Sequence, residues 1–244
     1  MTYCVGILVD AGIVMLADTR TNAGLDNIAT FRKLHVFERS GEFACALATA
    51  GNLSITQSVL SHLREGLEDA LTGARARLAD QTSMFEAAGL VGRAIRKVYE
   101  IDGGALEQHA SAFDITMLLA GQARGQEPRL FMIYRAGNFI EATQDTPFLQ
   151  IGEHKYGKPI LDRAVTHTTP LAEAVKLALI SMDSTIRSNL GVGLPVDLAV
   201  MARDEIHPRM TRIEATDAYF TDLRARWSAA LRAAHADIPL PPYR

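Results

Sequence analysis

The first part of the chain has the apolar pattern of paired β-strands. Alternating apolar residues at 5–9 lead into a turn at 10–12, and an apolar run at 13–17 returns from it. This pattern predicts a β-hairpin that is buried on one or both faces. A second strand pair is predicted at 34–37 and 43–49.

Helical spacing follows these strands. From Asn52, a residue type that favours the N-cap, apolar residues recur at three- and four-residue steps to Leu71, and the pattern repeats from Met84 to Tyr99. The remaining predicted elements are a loop at 75–83, strands at 113–120, 129–135 and 138–142, a third helix from Pro170, and strands at 195–201 and 209–214. The order ββββ, αα, βββ, α, ββ favours two stacked sheets with helices outside.

The end of the chain carries one more amphipathic pattern. Apolar residues recur at helical spacing from Phe220 to Leu231, and a proline-rich end follows at 238–242. Because the motifs described below end before this helix, we expect one domain over 1–216. Residues 217–244 are expected to form a C-terminal helix and tail at subunit interfaces. Alternatively, this helix only covers its own subunit.

Composition and charge exclude several classes of function. The 244 residues carry a net charge of −3 with scattered cations, which gives no electrostatic footprint for a nucleic-acid partner. No run of eighteen apolar residues is present, and a membrane partner is therefore not expected. Cys4 and Cys45 both lie in apolar strand patterns, as buried reduced thiols do. We expect a soluble cytoplasmic protein.

Thr2 is the first candidate for chemistry. A threonine at a chain terminus can use its own α-amine as the base, because the pKa of that amine is about 7.7–8.0. Thr2 becomes terminal only when Met1 is removed. The alternative is an ordinary second residue, since many proteins start with Met-Thr.

Asp18 and Lys33 could support such a nucleophile. Asp18 ends the second predicted strand, and Lys33 immediately precedes the third. A lysine held by a carboxylate favours an alkoxide-like hydroxyl and a neutral amine. The alternative is a strand-end turn and a solvated cation.

These residues resemble a known family. The chain is similar to proteasome β-subunits and the bacterial HslV protease, and within that group to the Anbu, or ancestral β-subunit, proteins. The motifs that carry the resemblance are Thr2, 17–20, Ala23-Gly24, 32–34 and 49–51, and for the Anbu group 2–6 and 152–162. The spacing departs from the pattern by one residue between Asp18 and Lys33. The likeness covers 2–214.

The resemblance implies an α+β fold in the form of a four-layer αββα sandwich. It also implies that Thr2 is the nucleophile of a threonine peptidase, that Asp18 and Lys33 tune it, and that the Gly51 amide stabilises the oxyanion. Arg20 is expected to support the site. Phe31 and Thr49 match positions that line the first specificity pocket of the family, where an apolar side chain of medium size is expected to fit.

The chain departs from the family in two places. Glu153 stands where proteasome β-subunits carry a serine, and a carboxylate there could alter the pKa of the amine. After the third helix, Ser188 and Asn189 are the candidates to replace an aspartate and a serine of the family.

The expected partners are other copies of the chain, in a homo-oligomeric ring or open spiral, and a polypeptide or peptide-like substrate. An ATPase partner stays an open question. No cofactor or metal is expected, because His154 and His167 lack a ligand motif around them. Two alternatives are a ring-forming scaffold without peptidase activity and an amidase that acts on small substrates.

Overall fold

The structure of the protein is a computed structural model that describes residues 1–22, 28–68, 73–109 and 112–243. Ala23-Gly24 and the predicted helical residue Leu71 lie outside the described residues. In chain order the elements are β1 (Tyr3–Val9), β2 (Gly12–Asp18), β3 (Arg20–Asn22), β4 (Ile28–Thr30), β5 (Leu34–Arg39), β6 (Phe43–Gly51), α1 (Leu53–Glu65), β7 (Leu67–Glu68), β8 (Arg75–Ala76), α2 (Met84–Gln108), β9 (Ile115–Ala123), β10 (Arg129–Ile133), β11 (Phe139–Glu141), β12 (Phe148–Gly152), α3 (Lys158–Ala164), α4 (Leu171–Ser188), β13 (Val196–Ala202), β14 (Arg209–Ile213) and α5 (Ala218–Asp237).

The described chain is a mixed α/β fold with five α-helices and two five-stranded antiparallel sheets. The strand order is β12-β1-β2-β13-β14 in the first sheet and β11-β10-β9-β6-β5 in the second sheet. The predicted hairpin is β1–β2, and both strands are buried along their whole length. Nearly continuous apolar strands of this kind form where both faces of a sheet are covered.

Three apolar clusters hold these elements together. Alternate residues of β6 divide between two of them: Phe43, Cys45 and Leu47 pack with α1 and α2, whereas Ala44 and Ala46 lie in a cluster shared with β1 and β2. The third cluster packs the other face of β1 and β2 against α3, α4 and α5. The period of two follows from the pleat, which sends successive side chains to opposite faces.

Two sequence predictions are corrected here. The first helix ends at Glu65, short of Leu71, because Gly66 takes a φ of 106° that ends the helix, and its N–H binds the His62 carbonyl. The predicted loop at 75–83 contains strand β8 and a 3-10 turn at Leu78–Asp80. β8 pairs with β7, a contact that the local sequence does not encode.

The C-terminal helix α5 packs on the fold only through its first half. Asp217 caps it by accepting from the Phe220 N–H at 2.7 Å, and Phe220 and Leu223 are buried. Leu231 of the predicted apolar stripe is 51% exposed. Among the described residues, no helix is long and apolar enough to cross a membrane.

Candidate active site

Asp18 is a buried carboxylate at the end of β2. It accepts hydrogen bonds from the Tyr3 N–H at 3.0 Å, the Arg20 N–H at 3.1 Å and the Lys33 ammonium at 2.9 Å. The register of the hairpin, which pairs Cys4 with Ala17, brings the start of β1 beside this residue. The first residues of the chain are thereby tied to Asp18.

Lys33 lies immediately before β5 and is 6% exposed. An ammonium has three N–H donors, and Lys33 directs them to Asp18 Oδ1 at 2.9 Å, the Arg20 carbonyl at 2.6 Å and the Met1 carbonyl at 3.3 Å. The predicted proximity of Asp18 and Lys33 is present in the structure. The third contact points this charge at the Met1–Thr2 peptide.

Burial and hydrogen bonding act in opposite directions on Asp18. Burial raises the pKa of this carboxyl above its usual value, while the Lys33 ammonium and the N–H groups of Tyr3 and Arg20 act against that rise. Every one of these partners is a donor. The contacts therefore fit the ionised carboxylate, which only accepts.

Thr2 is held from the opposite side by β12. Its carbonyl accepts the Glu153 N–H at 2.7 Å, and Gly152 lies against the same carbonyl with a φ of 78°. A Cβ at Gly152 would stand 2.0 Å from that oxygen, so only glycine fits. β12 was not predicted from the sequence, although it fixes the position of the candidate nucleophile.

A cleft of about 580 Å³ opens beside Thr2. Gly51 lies in its wall at the end of β6, with a φ of 114°, and is packed against the Asp114 carbonyl. The lining residues are Met1, Thr2, Thr21, Lys33, Thr49, Ala50, Gly51, Asn52, Leu53, Thr56, Asp114, Thr116, Gly152 and Glu153. Thr2, Lys33, Gly51, Glu153 and Thr49 of the predicted site thus share one cleft.

The other predicted site residues lie around this cleft. Arg20 contributes its backbone to Asp18 and Lys33, while its guanidinium donates to the Leu190 carbonyl at 3.0 Å. Asn189 donates to Glu153 Oε2 at 3.1 Å and so reaches the cleft through that carboxylate.

Two predicted residues are outside the lining. Phe31 is 38% exposed in front of β5, and Ser188 is exposed at the last position of α4. Because neither residue lines the described cleft, no contact there supports the pocket role expected of Phe31 or the supporting role expected of Ser188.

The sequence reasoning missed polar residues that line the cleft, among them Asp114, Thr116 and Thr56. Asp114 stands directly before the buried strand β9. The signal available in the sequence was a charged residue directly before an apolar strand. Its place beside Gly51 arises from pairing between β6 and β9, which only the fold shows.

Tyr3 forms a buried network that was also missed. Its hydroxyl shares a 2.6 Å hydrogen bond with Ser181 of α4 and accepts from the Gln150 amide of β12 at 2.6 Å. Burial raises the pKa of Tyr3 to about 12, so the hydroxyl stays neutral. This network fixes the residue that follows Thr2.

Metal ligands do not cluster in the described part of the chain. No group of three His, Cys, Asp or Glu side chains is arranged there to hold an ion.

Comparison with known proteins gives full-length structural neighbours. An Anbu (ancestral beta-subunit) structure from Yersinia bercovieri has a TM-score of 0.90 and 45% identity, over 99% of this chain and 100% of that chain. Anbu from Hyphomicrobium sp. strain MC1 has a TM-score of 0.89 and 46% identity, over 99% and 100%. A helical assembly of the Anbu complex from Pseudomonas aeruginosa has a TM-score of 0.91 and 46% identity, over 98% of both chains.

No family model matches the sequence, and no curated protein matches it. The full-length structural matches nevertheless place the fold in the class of β-subunit-like proteins. The chain belongs to the Anbu (ancestral β-subunit) family.

Proposed function

We propose that this protein is a threonine-type hydrolase of amide or peptide bonds whose nucleophile is Thr2 after removal of Met1. The observation that carries the proposal is the buried Lys33–Asp18 pair, because its ammonium reaches the Met1 carbonyl at 3.3 Å inside the cleft that Thr2 and Gly51 line. A fixed charge beside a hydroxyl in a desolvated wall stabilises developing negative charge.

Removal of Met1 has two effects on the site. It creates the free α-amine of Thr2, which can take the hydroxyl proton. It also removes the carbonyl that accepts the third N–H of Lys33, while Asp18 and the Arg20 carbonyl keep the other two. The freed donor is then available to the Thr2 side chain.

These positions support the following reaction. The Thr2 hydroxyl attacks the amide carbonyl, its amine accepts the proton, and the Gly51 amide binds the oxyanion. The protonated amine passes its proton to the leaving nitrogen as the C–N bond breaks. Water, deprotonated by the same amine, then hydrolyses the ester on Thr2.

The proposal also includes the layer arrangement of the fold and its division into domains. The separation of the apolar core into three clusters supports a four-layer αββα sandwich. We assign the hydrolase domain to 1–216, and the C-terminal helix and tail, 217–244, to subunit interfaces. The exposed second half of α5 supports that division.

We base the proposed assembly of this chain on its family, and its proposed cellular location on its cysteines. The Anbu complex from Pseudomonas aeruginosa is a helical assembly, which supports a homo-oligomeric spiral or ring for this chain. Buried Cys4 and Cys45 are free thiols, as expected in a reducing cytoplasm. The substrate is a polypeptide if the assembly encloses the cleft, and a small amide if the cleft stays open to solvent.

Covalent labelling of Thr2 tests the proposed chemistry. Protein whose intact mass shows loss of Met1 is treated with a β-lactone and an epoxyketone, and the adduct is located by peptide mapping. We expect modification at Thr2, its loss in Thr2→Ala, and its persistence in Thr21→Ala, which changes another threonine of the same cleft. Correctly processed protein that gives no adduct contradicts the proposal and favours a silent scaffold.

A further inference from the structure

Two carboxylates and one ammonium stand among the side chains that line the cleft beside Thr2. Its lining contains the ionisable side chains of Lys33, Asp114 and Glu153. Lys33 is bound by Asp18 at 2.9 Å, and Glu153 accepts from Asn189 at 3.1 Å. Among the residues that the structure describes, Asp114 has no oppositely charged group within ion-pair distance, and it is exposed to solvent.

Strand geometry directs Asp114 away from the helices. Phe113 and Ile115 pack in the apolar cluster with α1 and α2, whereas Leu118 belongs to the cluster shared with β1 and β2. Because side chains alternate along a strand, Asp114 and Thr116 lie on the same face as Leu118. That face meets the cleft, which both residues line.

The backbone of Asp114 is fixed next to Gly51. Its carbonyl accepts the Asn52 N–H at 2.8 Å and packs against Gly51, the candidate oxyanion residue. The carboxylate therefore stands on a rigid strand end, close to the residue that would bind the reacting carbonyl.

The threonine hydroxyls of the cleft wall add hydrogen-bond acceptors. The Thr56 hydroxyl donates to the Leu53 carbonyl at 2.9 Å, and the Thr49 hydroxyl donates to the Lys33 carbonyl at 3.5 Å. The hydrogen of Thr56 is thereby committed, and its oxygen can only accept from a substrate. Lysine and arginine side chains carry donors and no acceptors, so they fit such a wall.

We propose that the cleft selects substrates with a positively charged side chain next to the scissile amide, and that Asp114 recognises this charge. The inference rests on the proposed function and names its substrate class. Ala50 and Leu53 contact the aliphatic stem, the threonine oxygens accept from the head group, and Asp114 pairs with it. This selectivity replaces the medium-sized apolar side chain expected from the family resemblance.

Two matched covalent probes test this selectivity. Peptide epoxyketones that differ only in lysine versus norleucine beside the warhead have similar length and differ in charge. We expect the lysine probe to modify Thr2 of processed protein about fivefold faster, the effect of about 1 kcal/mol from one partly exposed charge pair. The ratio is expected to fall as salt is raised.

Substitution of Asp114 tests whether this residue causes the preference for the lysine probe. Asp114→Asn is expected to bring the lysine-to-norleucine ratio close to one. Asp145→Asn is the matched control, because Asp145 is exposed in the turn closed by the Thr143 and Thr146 hydrogen bonds, outside the cleft lining. It is expected to keep the ratio of the unchanged protein.

The outcomes separate this inference from the proposed hydrolase function. Modification of Thr2 by both probes at equal rates, or a ratio that Asp114→Asn leaves unchanged, overturns the selectivity and leaves the hydrolase standing. Failure of both probes and of the β-lactone to modify Thr2 overturns the hydrolase, and the selectivity with it.

Discussion

Asp18 and Asp183 are both fully buried, but they are held by different kinds of partner. Asp18 binds the ammonium of Lys33, whose side chain is itself buried. Asp183 of α4 binds Arg187 at 3.0 Å and Arg224 of α5 at 2.5 Å, and both arginine side chains are partly exposed. Burial alone therefore does not distinguish the carboxylate of the proposed active site from one that joins two helices.

The remaining contacts of the partners distinguish the two sites. The Arg224 guanidinium lies 5.6 Å from the centroid of the Phe220 ring in the same helix, and its bond to Asp183 ties α5 to α4. Lys33 instead has one donor directed at Met1 in the cleft. Asp183 and its two arginines join two helices, whereas Asp18 and Lys33 present a charge to the candidate nucleophile.

The largest effect is expected for Lys33→Met. Loss of the cation beside Thr2 should slow its modification by about 100-fold or more, by analogy with removal of one preorganised electrostatic contact. Stability should also fall, by about 3–5 kcal/mol, because Asp18 is left buried without its counter-charge. Labelling rates and urea unfolding measure both effects.

Lys176→Met is the matched control for this prediction. Lys176 pairs with Glu173 at 2.5 Å on the surface of α4, so neither rate nor stability should change appreciably. If Lys33→Met protein that is folded by circular dichroism labels at the original rate, Lys33 has no part in activation.

Asp183→Asn should affect stability alone. We expect a loss of about 2–3 kcal/mol, since Arg187 and Arg224 lose their carboxylate but can be rehydrated at the surface. Thr2 labelling at a temperature where the variant is folded should be unchanged. A large loss of labelling in folded protein would place Asp183 in the active site as well.

His35 extends the comparison to a partly buried group that lies near two arginines. Burial, followed by the charges of Arg64 and Arg32, lowers the pKa of His35 from 6.5 to about 4. The unfolded chain thus binds a proton below pH 6.5 that the folded chain rejects until about pH 4. Stability contributed by neutral His35 is fully present above pH 6.5 and is lost as the pH falls through this window.

The pH dependence of unfolding checks this effect. Between pH 7 and pH 5, His35 should account for a loss of about 1–2 kcal/mol in the free energy of unfolding. His35→Asn should lose correspondingly less over the same interval. Parallel curves for the two proteins would show that His35 titrates normally in the fold.

Arg224→Lys should give the smallest effect. A lysine keeps the charge near Asp183 but lacks the guanidinium that lies over Phe220, which should cost about 1 kcal/mol. Differential scanning calorimetry detects such a change, and an unchanged melting temperature would show that charge alone holds this contact.

The sequence predicted the local elements better than the long-range contacts. The hairpin β1–β2 was readable because both strands are continuous apolar runs. β12, which is five residues long, was missed because its pairing with β1 is set by tertiary contact rather than by a strong local pattern.

The candidate site shows the same division. The proximity of Asp18 and Lys33 was predicted from strand ends and the family pattern, and the structure gives 2.9 Å. Asp114 was missed because its position depends on the register that pairs Gly51 with Ile115, across a long stretch of chain. Phe31, expected in the specificity pocket, faces solvent at a strand entrance instead of lining the cleft.

Parallel labelling of three processed proteins tests the central claim most directly. Unchanged protein, Asp18→Asn and Asp183→Asn are treated with one epoxyketone under conditions where circular dichroism shows each to be folded, and the Thr2 adduct is quantified by mass. We expect an adduct of equal extent in unchanged protein and Asp183→Asn, and little or none in Asp18→Asn. Equal adduct in all three, or loss only in Asp183→Asn, would contradict the assignment of the Asp18–Lys33 pair to the nucleophile.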